Sequence, residues 1–216
     1  MQYDVFNGDA DGICALLQLR LEQPLVATRV TGIKRDIALL ERVQAEPGDS
    51  VTVLDISMVK NSNALHQLLN KGIVVDYIDH HAAGEIPDHP NLTATISEAP
   101  EVCTALLVNG RLRGARVEWA ITGAFGDNLD EPAQRLAEKS GLRASDIAAL
   151  RELGICINYN SCLSNATARI GFCVDVIPRD AIRGVVFECC VCRSSCASVI
   201  KFTFFVCGRK HRFGSI

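Results

Sequence analysis

Ile73-Val74-Val75-Asp76-Tyr77-Ile78-Asp79-His80-His81 is an apolar, β-branched run that ends in a carboxylate and two imidazoles. Such a run reads as a buried strand over Ile73–Ile78. Other runs upstream end in a similar way. Tyr3–Phe6 is short and apolar and leads into Asn7-Gly8-Asp9-Ala10-Asp11-Gly12, and the β-branched run Val51–Ile56 carries Asp55 near its end. Leu25–Val30 reads as a further strand. The segments between have helical spacing. Asp11–Leu21 carries Ile13, Leu16, Leu17 and Leu21, Asp36–Ala45 carries Ile37, Leu40 and Val43, and Lys60–Asn70 carries Leu65, Leu68 and Leu69. Pro47-Gly48 stops the second of these and Gly72 the third.

The order β-α-β-α-β-α-β predicts an α/β fold, a Rossmann-like three-layer domain with a mainly parallel sheet. Ala82–Pro100 holds three prolines without a clear period and reads as loop with one short strand. Helices follow at Glu101–Asn109, Ala115–Phe125, Pro132–Lys139 and Ala144–Leu153. In parallel α/β sheets a ligand sits beyond the carboxyl ends of the strands. Fold logic therefore gathers Asp9, Asp11, Asp55 and Asp79 on one edge.

Composition sets further bounds. An apolar content of 48% and a charged content of 22% belong to a globular chain. No uncharged apolar run reaches the roughly 18 residues that a spanning helix needs. Met1-Gln2-Tyr3-Asp4 lacks the basic start and apolar core of a signal peptide, so the expected compartment is the cytoplasm. The net charge of −3 is unevenly spread. Residues 1–161 hold 14 basic and 22 acidic side chains, whereas residues 162–216 hold 8 and 3. An acidic body argues against duplex-specific nucleic-acid binding, which needs many Lys and Arg contacts with phosphate.

Hard divalent ions prefer carboxylate oxygen, and imidazole shifts the preference towards Mn²⁺. Asp9, Asp11, Asp55, Asp79 and Asp127, with His80 and His81, are enough to hold two such ions. Each Asp alone reads as a solvated turn residue. Four clusters at strand ends, in order, read as a metal centre. Lys34-Arg35 begins the second predicted helix at the site edge, where it meets either phosphate or solvent. Cys14 and Trp119 read as core, and His66 and His89 as surface or local residues.

Asn7-x-Asp9-x-Asp11-Gly12, Asp55, Asp79-His80-His81 and Gly126-Asp127-Asn128 resemble the four ordered motifs of the DHH phosphoesterases. That superfamily includes RecJ-like single-strand exonucleases, oligoribonucleotide and pAp phosphatases, cyclic-dinucleotide phosphodiesterases and family II inorganic pyrophosphatases. The resemblance covers about residues 2–160. It implies a phosphoesterase domain over 1–160 that hydrolyses a phosphodiester or phosphomonoester of a nucleotide or short single-stranded oligonucleotide. The implied cofactor is a pair of Mn²⁺ or Mg²⁺ ions, which stabilise the attacking and leaving oxygens. The metal ligands implied are Asn7, Asp9, Asp11, Asp55, His80 and Asp127, with Asp55 bridging. His81 would face the substrate phosphate together with Asn128, and Asp79 would orient its neighbours.

Two features depart from the family pattern. Asn7 stands where the RecJ-like branch has an Asp, and offers a neutral oxygen. No Gly-Gly pair occurs in the chain, so the Gly-Gly-His type motif of the second, substrate-binding domain is missing. The alternative reading is a truncated, catalytically impaired domain that binds metal without turnover.

Residues 161–216 read as an atypical Cys-rich, basic tail. Seven of the ten cysteines fall in the last 55 residues. Cys189 and Cys192, with Cys207 and His211, have spacing acceptable for structural zinc. The mixture of Arg, Cys and Ser with few acids also fits an out-of-frame or truncated tail, and a small unrecognised module is a third reading.

Overall fold

The computed structural model describes residues 1–160 except Lys34, and the backbone of three short strands between 185 and 211. The chain divides into two compact units, Met1–Gly171 and Phe172–Ile216.

The first unit is built on β1 (Gln2–Asn7), β2 (Thr28–Gly32), β3 (Ser50–Leu54), β4 (Val74–Asp79) and β5 (Leu92–Ile96). All four pairings are parallel, in the order β2-β1-β3-β4-β5. The chain leaves β1 for β2 on one side and returns to β3 on the other, so the topological switch lies between β1 and β3. Ligands bind outside the carboxyl ends of strands at such a point.

Helices cover the sheet. They are α1 (Ala10–Glu22), α2 (Met58–Asn70), α3 (Thr104–Arg111), α4 (Val117–Gly126), α5 (Asp130–Lys139) and α6 (Ala144–Asn160). Side chains alternate across each strand. Tyr3, Val5, Val51, Val53, Val75 and Tyr77 share one buried cluster with Leu65, Leu68 and Leu69 of α2. Asp4, of the opposite parity, makes a two-pronged ion pair with Arg20 of α1. The sheet is therefore the middle of three layers. On the α1 side, α4 packs against α1, α3, α5 and α6. Trp119 and Cys14 are buried there, as their spacing predicts.

Three expectations need correcting. The helix predicted over Asp36–Ala45 is only a 3-10 turn, Leu39–Arg42. Its backbone is claimed from outside: Leu40 N donates to Asn61 Oδ1 at 3.2 Å, and Ile37 O accepts from Asn61 Nδ2 at 2.6 Å. An α-helix would have used both groups internally. Arg35 accordingly lies in a turn before it. The strand predicted over Leu25–Val30 begins at Thr28, because its register is set by β1 from Tyr3↔Thr28 onward. Leu25 and Val26 are left exposed. The last helix runs past Leu153 to Asn160. The one short strand expected within 82–100 is β5.

In the second unit, β6 (Val185–Glu188), β7 (Lys201–Val206) and β8 (Arg209–His211) form an antiparallel sheet in that order. The zinc reading rests on Cys189, Cys192 and Cys207, which lie outside the described residues, as does most of the proposed out-of-frame segment. No described helix is long and apolar enough to cross a membrane.

Candidate metal centre

The Asn7–Gly12 turn carries the chain from β1 into α1. Asp9 is the N-cap of α1, its Oδ1 accepting from Gly12 N at 3.2 Å. Gly12 is required by space, since a Cβ there would lie 2.3 Å from the Asn7 carbonyl oxygen. Asp11, in the first turn of α1, reaches across to another helix. Its Oδ2 accepts from Thr104 N at 2.8 Å and its Oδ1 from Ala105 N at 2.7 Å. The α3 N-cap residue, Cys103, supplies no side-chain cap. Asp11 takes that role from a distance, where the helix dipole favours a negative charge.

Asp55 follows β3 directly. It has φ +59°, an uncommon conformation for a residue with a Cβ, and its N donates to Ile78 O at 3.1 Å. That bond ties the turn to β4. Strain of this kind concentrates at functional sites. Asp79 closes β4 and is fully buried. Its Oδ1 lies 2.8 Å from His81 Nδ1, which orients the ring and leaves Nε2 for another partner.

His80 is the centre of the cluster. Its Nε2 lies 3.3 Å from Asp55 Oδ1, 3.7 Å from Asp127 Oδ2 and 3.8 Å from Asp11 Oδ2. Asp127 arrives from the far side of the sequence as the C-cap of α4. Four sequence-distant segments thus converge. Two groups have ligand atoms within 4.8 Å of one another: Asp55, His80 and His81, and Asp11, His80 and Asp127.

The electrostatics are those of crowded, dry carboxylates. Asp9, Asp11, Asp55 and Asp79 are all buried. Burial pushes the Asp55 carboxyl well above the usual range, and the charges of Asp9 and Asp11 and a hydrogen bond with Asp9 push it further. The hydrogen bond to Asp79 raises His81. Burial and the nearby Asp11 raise the Cys14 and Cys103 thiols, which keeps both protonated.

This donor set suits hard divalent cations with some imidazole character. An orphaned acceptor agrees: Asn7 Oδ1 is buried without a hydrogen-bond partner. Asn128 is exposed, with φ +61°, beside Asp127. His66 is exposed on α2, and His89 Nδ1 accepts from Asn91 N at 3.2 Å, so both are apart from the cluster. Sequence reading missed Thr104. It is buried, and its hydroxyl donates to Asp55 Oδ1 at 3.3 Å. The only local signal is a Thr at the start of a helix.

No family model matches the chain, and no curated protein matches it. Solved structures do. An exonuclease RecJ bound to manganese aligns with a TM-score of 0.52 and 19% identity, over 83% of this chain and 57% of that one. An uncharacterized protein from Helicobacter pylori aligns at 0.43 with 14% identity, over 84% and 66%. RecJ in complex with Mn²⁺ from Thermus thermophilus aligns at 0.39 with 18% identity, over 79% and 34%. The likeness to the first is one of fold. The chain spans little more than half the length of that exonuclease.

Proposed function

We propose that the first unit is a divalent-metal-dependent phosphoesterase of the DHH type, using two Mn²⁺ or Mg²⁺ ions to hydrolyse a phosphodiester or phosphomonoester of a nucleotide or short oligonucleotide. The observation that carries this reading is the pair of triads that share His80, at the switch point of a parallel sheet. The fold likeness to a manganese-bound exonuclease supports it.

Asp9, Asp11, Asp55, His80 and Asp127 would hold the ions, with Asn7 adding a neutral oxygen. Bound there, the ions would lower the pKa of water and offset charge on the phosphoryl oxygens. The chain's own part is positional. The α3 N-terminus fixes Asp11, and Asp79 fixes the ring of His81. Half exposed at the rim, His81 would meet a phosphate oxygen as a donor when protonated. Asn128, exposed one residue beyond Asp127, would touch substrate.

The test is hydrolysis of bis-p-nitrophenyl phosphate, pAp and a dinucleotide with Mn²⁺, and with Asp55→Ala as control. Metal-stimulated turnover lost in the variant supports the reading. Equal rates in both proteins overturn it. Mn²⁺ binding without turnover would identify the impaired form.

A further inference from the structure

Thr104 and Thr122 are both fully buried, yet they spend their hydroxyls differently. Thr122 returns its proton to Glu118 O of its own helix at 2.9 Å, the usual i−4 bond of a helical threonine. Thr104 is the first residue of α3 and has no preceding helical carbonyl to bond. Its hydroxyl goes instead to Asp55 Oδ1 at 3.3 Å, while its N–H goes to Asp11 Oδ2 at 2.8 Å. One residue therefore grips two carboxylates, Asp55 after β3 and Asp11 in the first turn of α1.

Asp55 needs such a grip. It sits at φ +59° on the turn after β3, buried among other carboxylates. His80 Nε2 at 3.3 Å and His81 Nδ1 at 3.9 Å face the same Oδ1, and Asp9 shares a hydrogen bond with Asp55. In the metal-centre reading the His80 nitrogen is taken by a cation and His81 Nδ1 is held by Asp79, and the Thr104 hydroxyl is a neutral donor that fixes the carboxylate. A hydroxyl donates one proton and adds no charge, so it orients Asp55 without competing for metal.

We propose that Thr104 is a positioning residue for the metal centre, its hydroxyl setting Asp55 and its N–H setting Asp11. This rests on the metal-centre reading above. Groups that orient metal ligands typically change affinity by about 10–100-fold when removed.

The test is Mn²⁺ binding, read by the EPR signal of free Mn²⁺, for wild type, Thr104→Val and Thr104→Ser, with thermal melts of the metal-free proteins alongside. Thr104→Val should bind Mn²⁺ about tenfold or more weakly, and Thr104→Ser should bind close to wild type. A purely structural threonine gives the opposite pattern: Ser, lacking the methyl group, loses stability, and neither variant changes Mn²⁺ affinity. Wild-type binding by Thr104→Val, or binding by Thr104→Ser as weak as that of Val, overturns the proposal. If Thr104→Val does not fold, Thr104→Ser still decides, since weakened binding with the hydroxyl retained refutes the role. Absence of Mn²⁺ binding by wild type would refute the metal centre itself, a result distinct from failure of Thr104 alone.

Discussion

Replacing Gly126 by Ala should destabilise the protein, although Ala favours helices. Gly126 ends α4 where that helix crosses α1 and α6. A Cβ there would lie 2.3 Å from Ala10 Cβ and 2.8 Å from Gly154 O. Carbon atoms pack at about 3.5–4.0 Å, so the contact with Ala10 is short by more than about 1 Å. Neither neighbour can rotate away, because one is a Cβ fixed to α1 and the other is α6 backbone. The helices must move apart. Overpacking of this kind costs about 1–3 kcal/mol, and Gly→Ala in a helix returns at most about 1 kcal/mol. With rigid neighbours the upper part of the range applies, and the net loss is about 2 kcal/mol. At about 2–4 °C per kcal/mol for a unit of this size, Tm falls by about 4–8 °C. Urea and thermal unfolding followed by circular dichroism provide the measurement. Gly110→Ala is the control, since it lies inside α3 with nothing within 4 Å of its Cβ position. It should stabilise by up to about 1 kcal/mol. A Gly126→Ala protein as stable as wild type, or equal losses at both positions, would refute the packing argument.

Three further outcomes are expected. Asn61→Ala leaves the Leu40 N–H and the Ile37 carbonyl without their partner, and should cost about 2–3 kcal/mol in urea denaturation. Asp49 is held below the usual carboxylate range by the Glu46 N–H and then by the N-terminal amine. A depressed pKa stabilises above the unfolded value of about 3.9, and that stability is lost as pH falls through the folded value. Asp49→Asn should therefore flatten the loss of stability below about pH 4 in acid titration. Mn²⁺ at about 100 times its Kd should stabilise the native state by about 2.7 kcal/mol, reversibly with EDTA and not in Asp55→Ala. Unchanged melting at saturating Mn²⁺ would contradict the metal centre.

The sheet and most of the candidate site were legible because local and global signals agree there. The runs of β1, β3 and β4 lead into Asp or His, and a parallel sheet brings those ends together, whereas Asp127 comes from the end of a helix, α4, and not from a strand. Asp36–Ala45 misled because Ile37, Leu40 and Val43 do have helical spacing. Only the fold shows Asn61, twenty-one residues beyond Leu40, taking the backbone bonds. Gly123, Gly126 and Gly154 carry no signal as contact residues, since a glycine in a helix reads first as a weak spot. Their role depends on which helices touch. Thr104 was missed for a related reason: its partners, Asp11 and Asp55, are 93 and 49 residues away.

Buried like charges demand compensation, and this fold supplies it in stages. Asp9 caps the N-terminus of α1, and Asp11 caps that of α3. Each such terminus carries about half a positive charge. Against these stand four buried carboxylates and Asp127 at the rim, with the His80 and His81 rings among them. Two helix termini thus stand against five crowded carboxylates. The remainder is met either by protonation, as the raised Asp55 carboxyl indicates, or by cations. Divalent cations, as proposed above, would offset that charge. The helix termini fix where the carboxylates stand, and the crowding of charge beyond those termini is what the proposed metal centre would relieve.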